Sequence, residues 1–205
     1  MAQFKQKVLD LVESRANALK KVTPIDRAIL FFVLRFIPHG VTPNHITVFR
    51  LITVPFLIIL LLDGHYLSGT VLFAISAFSD AVDGALARTS GRITRWGILA
   101  DPLADKLLIG STALILISRF LGWQFAVLIV VIELFLVASA YYRYTGKVIP
   151  AKTTGKIKMI LQCFGIIFLF FHVLFGGVLW LPLAWITLIL AVIFALLSLS
   201  IYKSI

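Results

Sequence analysis

The chain is poor in charge, in acid and in thiol. Charged residues make up 14% of its 205 positions, and nine Asp and Glu stand against 19 Lys and Arg. A soluble domain carries about 25% charged and about 45–50% apolar residues; here 60% are hydrophobic. That balance excludes an ordinary soluble globule. It also excludes a disordered chain, which needs low hydrophobicity. Cys163 is the single cysteine, so no disulfide scaffold is possible. The first residues lack an early apolar core and a small-residue cleavage site, so no signal peptide is expected. No internal repeat and no low-complexity linker divides the chain. What the sequence does have is long apolar runs, which predict one compact polytopic membrane domain.

The expected fold is an all-α integral membrane protein with six transmembrane helices behind an amphipathic, interfacial N-terminal region. Residues 1–42 form that region and residues 43–205 the six-helix domain. Spans are predicted at 44–62, 69–88, 98–118, 123–142, 157–176 and 181–201, each near the roughly 20 residues a bilayer helix needs. Ahead of them, Phe4, Val8, Leu11, Val12, Ala16 and Leu19 recur at near-helical spacing. Thr23 and Pro24 open a second short helix whose Ile29–Val33 face, flanked by Arg27 and Arg35, suits the membrane surface.

A net charge of +10 invites a nucleic-acid reading, but the positions of the charges argue otherwise. Seven basic residues precede the first span. Three more (Arg88, Arg92, Arg95) lie between the second and third, and five (Arg143, Lys147, Lys152, Lys156, Lys158) lie between the fourth and fifth. With Lys203, these 16 of the 19 Lys and Arg fall on one side, and Arg119 falls on the other. Such asymmetry places both termini in the cytoplasm and accounts for the charge without nucleic acid.

Four acids crowd into 26 residues: Asp80, Asp83, Asp101 and Asp105, at the cytoplasmic ends of the second and third spans. Asp80 and Asp83 share a helix face, continued by Gly84 and Ala87. Gly97, Asp101 and Asp105 form a stripe on the next helix. Charge at membrane depth is costly and normally faces a cavity, a partner or an ion. Four carboxylates need positive charge between them. As buried polar links between two helices they would be poor glue without partners. An all-oxygen donor set without His or Cys suits two hard divalent ions, Mg²⁺ or Mn²⁺, rather than zinc. Two such ions can clamp a diphosphate, and Arg88 adds a phosphate donor. Arg50, about two turns into the first apolar span, is expected to pair with an acid, inside this cluster or elsewhere.

From Asp80 to Asp105 the chain reads D-x2-D-G-x2-A-R-x8-G-x3-D-x3-D, realised as Asp80, Asp83, Gly84, Ala87, Arg88, Gly97, Asp101 and Asp105. This resembles the signature of the CDP-alcohol phosphatidyltransferases. The resemblance implies displacement of CMP from a CDP-linked alcohol such as CDP-diacylglycerol, with two metals and commonly in a homodimer. It makes Asp80, Asp83 and Asp101 metal ligands, and Asp105 the general base and a further ligand. Spacing alone does not separate Asp101 from Asp105 as the base. It sets Asp80, Gly84, Ala87 and Arg88 against the cytidine diphosphate. Pro43, Asn44, Thr47 and Arg50 resemble the family's P-N-x2-T-x2-R segment, which places Asn44 near the nucleotide.

The acceptor is read from the basic fourth connection. Gly155, Lys156, Lys158 and Gln162 resemble the G-K-x-K-x3-Q stretch of phosphatidylglycerophosphate synthases, which implies glycerol 3-phosphate as acceptor, held by Lys156 and Lys158 with Arg143. Those synthases often carry an Arg-Glu pair where this chain has Ile132-Glu133. Phosphatidylglycerol or an inositol phosphate are the competing acceptors. From a different class, a cation transporter would also use intramembrane acids. Here, however, the acids lie at one membrane face, and no paired broken helices are evident.

Overall fold

The computed structural model describes residues 43–90, 95–143 and 153–203. The interfacial helices expected in 1–42 lie outside the described residues. Six α-helices account for the rest: α1 (Pro43–Leu62), α2 (Tyr66–Ser90), α3 (Arg95–Phe120), α4 (Trp123–Arg143), α5 (Thr153–Phe175) and α6 (Trp180–Lys203). Each matches one predicted span to within a few residues, and the described residues include no strand. The protein is an all-α integral membrane protein. Four helices contain an apolar stretch long enough to cross a membrane: Asn44–Leu62, Tyr66–Leu86, Thr154–Phe175 and Trp180–Ser198. In α4 the apolar stretch Trp123–Leu136 is shorter. In α3 the apolar stretch is interrupted because Asp101, Asp105 and Lys106 occupy the first half of the helix.

Helix termination follows from local chemistry. At the end of α1 the His65 N–H donates to the Leu60 carbonyl (2.8 Å) and the Gly64 N–H to that of Leu61 (3.3 Å). This is a Schellman cap, and it requires a left-handed residue at Gly64, whose φ is 79°. The turn it makes lets α2 start only three residues after α1 ends.

The chain divides into two compact units. One comprises residues up to Ile59 together with Val71–Leu108, and the other Leu60–Thr70 with Ile109–Ile205. In the first, α1 is built inside out. Val48, Phe49, Ile52, Phe56 and Ile59 are exposed, Phe56 by 59%, while Thr47, Arg50 and Thr53 are buried. In lipid, exposed apolar residues cost nothing, and polar groups must find protein partners. In the second unit α5 packs along α6, which α4 also contacts. Trp180 at the start of α6 stands edge-on to Phe171 (5.1 Å) and stacks with Phe168 (6.2 Å).

The α5–α6 approach is set by a missing side chain. A Cβ on Gly165 would stand 2.5 Å from Leu188 Cγ and 2.6 Å from one of its methyls, and Leu188 is fully buried. Membrane helices associate through such close packing, because lipid gives no hydrophobic drive between them. Gly165→Ala is therefore expected to destabilise the protein by about 1–3 kcal/mol, as overpacking does. Thermal unfolding in detergent checks this; an unchanged midpoint would mean that Leu188 has room to move.

Candidate active site

The first unit contains the acid cluster, and α1 holds it together. Thr47, Arg50 and Thr53 lie three residues apart on one face of α1. Arg50 is 0% exposed and pairs through Nη1 with Asp80 and through Nη2 with Asp83. The Thr47 hydroxyl donates to Asp101 Oδ1 on α3 at 2.5 Å. The Thr53 hydroxyl donates to the Arg50 carbonyl (2.9 Å) and lies 2.8 Å from the Ser76 hydroxyl on α2. Thr53 has a single proton, so Ser76 is the donor in that contact. The polar stripe of α1 thus meets Ser76, Asp80 and Asp83, one face of an antiparallel α2, and reaches Asp101 on α3.

The acid for Arg50, left open by the sequence, is therefore in the cluster, and there are two of them. Asp83 is buried, and the Asp80 side chain is 47% exposed. Asp105, one turn beyond Asp101, is half-buried and within electrostatic reach of Asp80 and Arg50. Asp83 is likewise within reach of Asp101. All four acids of the motif therefore share one neighbourhood with the buried Arg50 guanidinium, and Asp105 also lies within electrostatic reach of exposed Lys106. Gly84 and Gly97 lie on the same two helices, Gly97 buried and Gly84 half-buried. Asn44 is half-buried in the first turn of α1. Ala87 and Arg88 belong to the last turns of α2, and their side chains are outside the described ones.

The expected acceptor contacts separate by environment. Lys156 is exposed on α5. Lys158, two residues on, is buried and forms an ion pair with Glu133 of α4. Ile129, Ile132, Gln162 and Leu188 line the cleft around the pair, whose free volume is about 10 Å³, barely room for one water. Lys158 thus spends its charge on Glu133. Arg143 is the last residue of α4, and its side chain is not among the described ones. Two features escaped the sequence reading: Thr47 as the tether of Asp101, and Glu133 as the partner of Lys158. The i, i+3, i+6 run of Thr47, Arg50 and Thr53 in an apolar helix was a signal for the first. Nothing local signalled the second.

An integral membrane bundle whose polar machinery is a set of carboxylates organised by one arginine is the setting of membrane-embedded group transfer. The family described as CDP-alcohol phosphatidyltransferase matches residues 40–197. A Bacillus subtilis protein named CDP-diacylglycerol–glycerol-3-phosphate 3-phosphatidyltransferase is 31% identical over 173 residues, covering 76% of this chain and 90% of that protein. A Rickettsia typhi protein of the same name is 27% identical over 74% of this chain and 90% of its own length. A probable phosphatidylglycerophosphate synthase of Mycobacterium tuberculosis is 38% identical over 60% of this chain and 62% of its own. The chain belongs to the CDP-alcohol phosphatidyltransferase family and is a membrane transferase of phospholipid biosynthesis.

Breaking one side of the Glu133–Lys158 pair should be costly, since removing Glu133 strands the buried Lys158 charge. Glu133→Gln is expected to lower stability by about 3 kcal/mol. The double variant Glu133→Gln with Lys158→Met should recover most of that loss. A double-mutant cycle on unfolding free energies measures the coupling, and additive losses would show that the pair is not linked.

Proposed function

We propose that this chain transfers the phosphatidyl group of CDP-diacylglycerol to glycerol 3-phosphate, releasing CMP and giving phosphatidylglycerophosphate. The carrying observation is the convergence of Asp80, Asp83 and Asp101 on the Thr47–Arg50 face of α1, with Asp105 one turn beyond, in a chain whose relatives bear the name of that reaction. The excess of Lys and Arg on the connections beside the acids supports a cytoplasmic active site.

The donor set fits hard divalent cations. Every side chain in it is a carboxylate, and the structure already places a cationic group, the Arg50 guanidinium, between two of them. Asp80, Asp83, Asp101 and Asp105 would hold two ions of Mg²⁺ or Mn²⁺. Bound there, the ions supply charge neutralisation for the diphosphate and the departing CMP.

The chain's own residues do the rest. Gly84 and Ala87 leave room for the nucleotide on α2, and Asn44 and Arg88 donate to it. The acceptor hydroxyl attacks the phosphorus that carries diacylglycerol, and the bond from that phosphorus to the CMP oxygen breaks. Asp105 takes the hydroxyl proton. Its half-buried position at the end of the stripe, one turn beyond Asp101, suits a carboxylate that must accept a proton. With Lys158 committed to Glu133, Lys156 is the exposed one of the two described lysines of that segment and makes the phosphate contact with the acceptor, joined by Arg143.

The test is CMP release by purified protein with Mg²⁺, CDP-diacylglycerol and a panel of glycerol 3-phosphate, phosphatidylglycerol, inositol 1-phosphate, inositol and serine. Release that depends on glycerol 3-phosphate is expected; dependence on another alcohol would keep the chemistry and overturn the acceptor. Asp105→Asn should lower kcat about a hundredfold or more, the scale of a lost general base, with folding preserved. An unchanged kcat would remove Asp105 from that role. Lys156→Ala should raise KM for glycerol 3-phosphate much more than KM for CDP-diacylglycerol, and equal changes would refute the acceptor contact.

A further inference from the structure

We propose that Arg50 is an internal counter-ion that competes with divalent cations for Asp80 and Asp83, so that cation loading drives the guanidinium off these carboxylates. The inference rests on the metal reading above, and it gives a role in that chemistry to a residue outside the acid motif.

Three observations carry it. Arg50 is 0% exposed, and its two terminal nitrogens are divided between two carboxylates on successive turns of α2. Its Nε is also buried and has no hydrogen-bond partner. A buried donor without an acceptor is costly, and arginines with purely structural roles normally satisfy it. This guanidinium is thus held by the two acids, and its Nε–H is a donor to spare. Finally, among the described residues no three of Asp, Glu, His or Cys stand together as a cation site, although four acids share the neighbourhood.

The fork explains that last point. A planar guanidinium takes one carboxylate on each nitrogen and spaces them apart by its own width. A metal ion instead draws its oxygen ligands to about 2.0–2.1 Å from a single point. Arg50 already occupies Oδ1 of Asp80 and Oδ2 of Asp83, so at these oxygens the two arrangements compete. Repulsion adds to the geometry, because a dication beside a buried guanidinium would face a like charge in a medium that screens poorly. In the exchange, the cation takes over the carboxylates and Arg50 gains free N–H donors. With the spare Nε, they form a set suited to a phosphate oxygen. Before loading, the same arginine keeps the acids from repelling one another and α2 seated on α1.

Mn²⁺ binding to the purified full-length chain in detergent, without nucleotide, tests the exchange by electron paramagnetic resonance or calorimetry. Arg50→Met removes the competitor and should tighten Mn²⁺ binding about tenfold or more, the scale of a charge-assisted hydrogen bond no longer broken. Arg50→Lys keeps a charge but not the fork and should fall between Arg50→Met and wild type; it carries the comparison if the methionine variant does not fold. Wild-type protein that binds Mn²⁺ with folded variants that bind it equally or more weakly would overturn the proposal and make Arg50 a fixed scaffold. No Mn²⁺ bound by any of the three would instead overturn the metal reading, and this inference with it.

Discussion

A guanidinium with no exposure, eight residues into a membrane helix, must have its charge met by protein. Leaving it unpaired costs more than most of the other contacts in the unit could offset. That constraint organises the first unit. Arg50 fixes which face of α1 turns inward, and this brings Thr47 and Thr53 in with it. It then selects the face of α2 that carries Ser76, Asp80 and Asp83. Rotating either helix by one residue would turn the arginine or an acid toward lipid. Buried ion pairs add little net stability compared with apolar packing of the same shape. What this one provides is register, and register is what a site built from residues on three helices requires.

The second unit is held differently. Its α5–α6 contact depends on shape: a glycine at 165 lets Leu188 close in, and Trp180 rests among Phe168 and Phe171. The Glu133–Lys158 pair is its one described ion pair. The pair links α4 to α5 across a narrow cleft lined mainly by apolar residues, and so acts as a polar pin in an apolar joint. Neutralising Lys158 also sorts the basic residues of that segment: a cation already paired contributes little field to an anion, whereas exposed Lys156 contributes its full charge.

The acid cluster has a chemical logic that does not depend on the acceptor. Phosphoryl chemistry at a diphosphate needs positive charge beside the transferring group and a base near the nucleophile. Carboxylates bring positive charge only by binding it. Under the proposed function, the four acids near Arg50 demand cations. The arginine meets part of that demand and keeps the acids together. Small residues, Gly84 on α2 and Gly97 on α3, lie on the two helices that carry the carboxylates.

Much of this was legible in the residues themselves. Composition and long apolar runs determined a membrane protein, and runs near the bilayer thickness placed all six helices to within a few residues. The acid motif, through its resemblance to the CDP-alcohol phosphatidyltransferase signature, pointed to the family that the comparisons then showed. These are local properties: hydropathy, period and residue type depend on near neighbours in the chain. Pairing is not local. Thirty residues separate Arg50 from Asp80, and 25 separate Glu133 from Lys158; nothing within either segment names its partner. Only the tertiary structure decided that Arg50 forks across both Asp80 and Asp83, that Thr47 tethers Asp101, and that Lys158 is spent on Glu133. The physical reason is that a charge in lipid takes whichever opposite charge helix packing brings within reach, and packing is set by the whole set of side-chain shapes.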